Sequence, residues 1–201
     1  MSKSILISIK PKWVAKILNG EKTIEIRKTC PNQLRGDTPV KPEPIDVYIY
    51  CTKGKSLIYT DGTDGKGDYV DYKYYESYKG DKNDIGSGKV VAKFTLNNVE
   101  EINRYCAGKG ISYKTETLND IELCDKSCLD IIEIDHYLYF KKGYAWHIDN
   151  LVIFDKPREL SEFEQCKEKK CPYSLPCHKT CHSLKSLTKA PQSWCYVEEL
   201  L

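Results

Sequence analysis

The sequence predicts an α+β fold, on three observations. Residues 5–28 read as strand, helix and strand in turn; residues 89–96 and 144–154 read as further strands; and residues 100–142 read as mainly helical. In the first stretch Ile5, Ile7 and Ile9 alternate with Leu6, Ser8 and Lys10, the period of a strand with one apolar face. Lys10 precedes Pro11 and should stay extended, whereas Pro11 suits the first turn of a helix. Val14, Ile17 and Leu18 fall at helical spacing, with Trp13 beside them, and Gly20 stops the helix. Thr23, Glu25 and Arg27 then alternate with Ile24 and Ile26, which sends the isoleucines to a core and the polar side chains to the opposite face.

The remaining elements follow the same logic. Four prolines, Pro31, Pro39, Pro42 and Pro44, mark residues 30–44 as a loop. Val47–Cys51 reads as a strand by alternation and β-propensity. Residues 54–88 read as a loop insertion, because they hold seven of the 12 glycines and six tyrosines. Lys89–Leu96, KVVAKFTL, is a strong strand, and Ser127 is the expected N-cap of the helix LDIIEIDHYLYF. Tyr144–Phe154 reads as extended, with a turn at Asp149-Asn150. Residues 161–189 form a Cys- and Lys-rich excursion, and Trp194–Val197 is the last strand. Length favours one domain over residues 1–201 carrying these two embellishments.

Composition bounds the function. A net charge of +2 is not that of a bulk nucleic-acid binder, so any such binding needs a local patch. Residues 1–28 supply one: seven Lys or Arg against two Glu, net +5, which leaves the rest of the chain at −3. No N-terminal segment resembles a signal peptide and no apolar run approaches the roughly 20 residues that span a bilayer, so the expectation is a cytoplasmic protein without a membrane partner. Ten cysteines then point to thiols or a metal site before a disulfide scaffold.

Two groups of residues carry chemistry. The first is Lys22, Glu25 and Arg27, with Lys10 and Lys28 near them in sequence. Glu25 and Arg27 stand about 7 Å apart between Cα atoms on one strand face, close enough for their heads to meet. A basic patch beside one carboxylate suits an anion or nucleic acid. The alternatives are a solvated strand face with a surface ion pair, worth little, or a purely structural Glu25–Arg27 pair with Gln192 capping a turn. The second group is Cys166, Cys171, Cys177 and Cys181, spaced C-x4-C-x5-C-x3-C, with His178 and His182 beside the last two. Four soft ligands at short spacing can surround a structural Zn²⁺, by four Cys or by three Cys and one His; free thiols or disulfides are the alternatives. No organic cofactor motif is present. Cys124 and Cys128 read as structural, and His136 and His147 as isolated, with a hydrogen-bonded structural role favoured over a catalytic one. The tyrosines of the insertion could stack on unpaired bases, but residues 54–86 carry net charge −2, which favours a loop packing on its own rings.

The run ILNGEKTIEIRK resembles the signature of ASCH domains, with a G-x-K-x-x-E-x-R core at Gly20, Lys22, Glu25 and Arg27. APQSWCYV, Ala190–Val197, resembles the closing strand of bacterial and phage members, and GYAWHIDNLVIFDKPREL resembles the late strand and turn between. The resemblance implies a PUA-like β-barrel with flanking helices that binds RNA or a modified nucleoside, with DNA as a further candidate. It also implies a cleft bordered by the Lys22–Arg27 strand, to which Gln192 and Ser193 would add amide and hydroxyl contacts. Arg27 would grip a phosphate or base edge and Glu25 would accept from an exocyclic amine. A bacterial branch of the family hydrolyses acylated cytidine through a Lys, a Thr three residues later and a downstream Glu. Lys22 fits the first position, Glu25 stands where the threonine would be, and the downstream acid would be Glu100 or Glu101. Lys22 and Glu25 are therefore the candidate catalytic pair of an amidohydrolase, the second reading; the third is a transcription-related protein-interaction module using residues 161–189.

Overall fold

A computed structural model describes residues 4–34, 43–53, 57–63, 70–75, 86–108, 110–139, 141–168 and 182–199. The described residues form strands and three α-helices, an α+β protein divided into two compact units. Among the described residues no helix is long and apolar enough to cross a membrane.

The first unit comprises residues 1–14, 45–93 and 152–201. Its main sheet is built from β1 (Ser4–Ile9), β3 (Ile45–Cys51), β6 (Val90–Leu96), β10 (Asp149–Arg158), β11 (Phe163–Glu168), β12 (His182–Ser186) and β13 (Trp194–Glu199), in the order β10-β6-β3-β1-β13-β11-β12. β1 runs parallel to β3 and antiparallel to β13. The expected single apolar face of β1 is wrong in one respect: Ile5 through Ile9 are all buried, because the strand is internal and covered on both faces. Ser8 tolerates this by donating its hydroxyl to the carbonyl of Pro191 at 2.7 Å and its N–H to Ser193 O at 2.9 Å. A core of Leu6, Tyr48, Val90, Phe163 and Val197 forms here, with Tyr48 and Phe163 edge to face at 4.9 Å. Where the sequence suggests a polar excursion over 161–189, the described parts are strands of this sheet, Glu164 pairing with both Ser186 and Glu198. The glycine-rich stretch likewise contains a hairpin, β4 (Leu57–Thr63) and β5 (Val70–Tyr75), with a bulge between Asp61 and Thr63. Its β-branched and aromatic residues outweigh the glycines there.

The second unit comprises residues 15–44 and 94–151. Its sheet has the order β2-β9-β7-β8, from β2 (Ile24–Arg27), β9 (Gly143–His147), β7 (Val99–Ala107) and β8 (Gly110–Lys114). Helix α1 (Pro11–Leu18) leads into it and ends where expected, with Gly20 at φ +73° donating to Ile17 O. Helices α2 (Asp120–Ser127) and α3 (Ile131–Leu138) pack on the sheet over Ile24, Ile26, Ile102, Tyr113 and Ala145, burying Leu123, Ile134 and Leu138. Gly143 is needed beneath them, since a Cβ there would lie 2.6 Å from a Leu138 methyl group.

The expectation of helix across 100–142 fails for its first part, which is the β7–β8 hairpin. The start of the second helix is also misplaced: Ser127 is the buried last residue of α2 and Asp130 is the N-cap of α3. Asn119 caps α2, and both helices carry full capping boxes, Asn119 with Glu122 and Asp130 with Glu133. Asn119→Ala and Asp130→Ala should each cost about 1 kcal/mol in chemical denaturation, with Asn119→Ser nearly silent.

Candidate functional site

The basic stretch folds into a nearly sealed charge cluster within the second unit. After Gly20 the chain turns back on α1, with Lys22 N donating to Lys16 O at 3.0 Å and Lys16 paired with Glu21 at 2.9 Å. Thr23 ties the start of β2 to α2 through Lys126 O and accepts from Ile148 N, both at 2.9 Å. These backbone bonds send the Lys22 side chain inward, where it is 2% exposed.

Three partners meet there. Lys22 Nζ donates to Ser127 O at 2.6 Å and lies 3.3 Å from Glu25 Oε2. Arg27 Nη2 lies 3.0 Å from Glu25 Oε1. Ser127 ends α2, so its carbonyl is one that the helix itself leaves open, at the negative end of the helix dipole. An ammonium suits that position. Glu25 and Arg27 are 8% and 7% exposed, so they form a buried pair and not a solvated strand face. Burial pushes the Lys22 ammonium below the usual lysine range, and the Glu25 carboxylate offsets this only in part. The cluster carries two cations and one carboxylate.

The Arg27 and Glu25 charges both act on the phenol of Tyr137 on α3, which burial pushes above the usual tyrosine range. Lys28, exposed at the end of β2, holds its Nζ 5.1 Å from the Tyr137 ring centre. Of the other residues expected in the site, Lys10, Gln192 and Ser193 belong to the first unit. Lys10 and Gln192 are exposed there, Lys10 O accepts from Trp13 and Val14, and Ser193 O holds Ser8.

A second polar centre lies on the opposite face of the same sheet. The register pairs Glu25 with Trp146 and Val99, whereas Glu100 pairs with Ala145, so Glu25 and Glu100 project to opposite sides. Glu100, 7% exposed, accepts from Thr115 Oγ1 at 2.6 Å, from Thr117 N and Oγ1 at 2.9 Å, and contacts His147 Nε2 at 2.6 Å. Burial alone would raise its pKa, but the donated hydrogen bonds outweigh burial and hold the carboxyl below the usual range. Glu101, the other acid considered, projects from the Arg27 face and pairs with Lys142 at 2.8 Å. Sequence reasoning missed Ser127, Tyr137, Thr115 and Thr117. No sequence signal marks the first, a backbone acceptor; Tyr137 could have been found as an aromatic at an exposed helical position.

No family model and no curated protein matches the chain. Among solved structures, the crystal structure of a point variant of ZmASCH from Zymomonas mobilis is similar at TM-score 0.42 and 15% identity, over 79% of this chain and 75% of that one. So distant a likeness carries no residue roles across.

Of the expected zinc ligands, Cys171, Cys177, Cys181 and His178 lie outside the described residues. Cys166 and His182 are described only as backbone positions on β11 and β12, where Cys166 pairs with Leu184 and His182 with Glu168. Cys124 lies inside α2, and Cys128 is its left-handed C-cap at φ +53°. Both are free thiols.

Proposed function

We propose that the chain is a PUA-like module that binds RNA or a nucleotide through the Lys22–Glu25–Arg27 cluster. The observation that carries this reading is the burial of the Glu25 carboxylate between Lys22, just before β2, and Arg27 on it, in the residues that resemble the ASCH signature. A bare phosphate chain has little to gain from cations that are already paired and nearly sealed. The burial instead favours one base or nucleoside inserted at the Arg27 end, where Arg27 offers donors to acceptor edges and Glu25 accepts from an exocyclic amine. Lys22 then acts as the internal counter-charge that aims Glu25.

Fluorescence anisotropy with single-stranded RNA, structured RNA and matched DNA, across a salt series, tests the reading. Wild type should bind single-stranded RNA with affinity that falls as salt rises, and Arg27→Ala should lose about 1–3 kcal/mol, roughly 5- to 150-fold. Absence of binding to every polymer and to mononucleotides would refute it.

The lowered lysine favours one second reading. A buried lysine with a depressed pKa, 3.3 Å from a carboxylate, is the acid–base pair an amidohydrolase needs. With N4-acetylcytidine as substrate, water would add to the amide carbonyl and the C–N bond would break to give acetate and cytidine. Chromatography should then show cytidine with wild type and none with Lys22→Met; no product from wild type rejects this reading. For residues 161–189, a structural Zn²⁺ on Cys166, Cys171, Cys177 and Cys181 is a separate proposal that metal analysis of the purified chain decides.

A further inference from the structure

We propose that Tyr137 is the base-stacking residue of the site, with Lys28 beside it as the phosphate contact; this deepens the nucleotide-binding reading and rests on it. Three observations converge on this ring. Tyr137 is 39% exposed, although Leu138 beside it and Ile134 one turn earlier are fully buried. Arg27 and Glu25 act electrostatically on its phenol, which sets the ring beside the charge cluster. Its ring lies 5.1 Å from the ammonium of Lys28, which is itself exposed on the residue after Arg27.

The chemistry of this grouping is that of a single unpaired nucleotide. Such a base is recognised by stacking on an aromatic face while polar groups read its edge. Tyr137 offers the face. Arg27 and Glu25, paired with each other at 3.0 Å, offer donor and acceptor to the edge. An exposed cation–π contact is weak, so the Lys28 ammonium exchanges it for a phosphate oxygen at little cost.

The test uses a five-nucleotide single-stranded RNA carrying one 2-aminopurine, titrated with the full chain as wild type, Tyr137→Phe, Tyr137→Ala, Lys28→Gln and Arg27→Ala. Stacking quenches 2-aminopurine fluorescence. Wild type and Tyr137→Phe should quench and bind within about threefold of each other, because the ring is kept. Tyr137→Ala should lose the quenching and bind about tenfold or more weakly, and Lys28→Gln should lower the slope of log affinity against log salt by about 0.7. Quenching and affinity unchanged in Tyr137→Ala, with Arg27→Ala impaired, would overturn the role of Tyr137 and leave the binding reading standing. No binding by wild type would overturn both. Tyr137 is on the surface, and a thermal melt of each variant confirms that folding is intact.

Discussion

Glu25→Ala should lower the unfolding free energy by about 3–5 kcal/mol, the largest loss from a single side chain of the cluster. The reason is the charge left behind. Glu25 is the one carboxylate paired with both Lys22 and Arg27, which are 2% and 7% exposed. Its removal leaves two buried cations facing each other, with Ser127 O still bound to one of them. Adding Lys22→Met should restore part of the loss, because it removes a buried charge and keeps much of the volume. Chemical denaturation of the single and double variants measures both effects. Full stability in Glu25→Ala would mean that water reaches the cluster, contrary to its geometry.

Glu100→Ala should cost a similar amount, about 3–5 kcal/mol, by a different route. Thr115, Thr117 and His147 all direct donors or a ring nitrogen at this carboxylate. Each buried donor left without an acceptor costs about 1–3 kcal/mol. The same carboxylate shapes the acid limb of the stability curve. Its folded pKa is depressed, so its contribution is complete above the ordinary glutamate range and is lost as pH falls through the depressed value. Within that window the unfolded chain binds the proton that the folded chain refuses, so stability must fall with pH. Glu100→Gln keeps the shape without the titration. Wild-type stability should therefore fall more steeply than that of Glu100→Gln between pH 5 and the acid transition, as read from denaturation midpoints. Parallel curves would show that Glu100 does not carry the dependence.

What was legible in the sequence depended on whether neighbours or distant residues decide the outcome. β1, β2, β3 and β6 were readable because β-branched residues alternate or run together, and α1 because Pro11 and Gly20 bracket an apolar stripe. β7 was hidden because Glu100 occupies an inward position beside Ile102, and a glutamate at a core position breaks the apolar period. The boundary between α2 and α3 went astray because Ser127 looked like a cap, whereas Asn119 and Asp130 each have a glutamate three residues on. That the heads of Glu25 and Arg27 meet was readable from their spacing on one strand face. Their burial was not, because the acceptor for Lys22 is a backbone carbonyl 105 residues away and carries no side-chain signature. The four groups around Glu100 come from two other segments, residues 115–117 and His147, which no local pattern links.

The most direct test of the central claim is a titration of ¹⁵N-labelled protein with the four ribonucleoside monophosphates, followed by backbone amide chemical shifts. Saturable shifts confined to residues 22–28 and the end of α3 around Tyr137, and absent in Arg27→Ala, are the predicted result. Saturable shifts that leave residues 22–28 unmoved, or no shifts with any of the four, would contradict a nucleotide site on this strand.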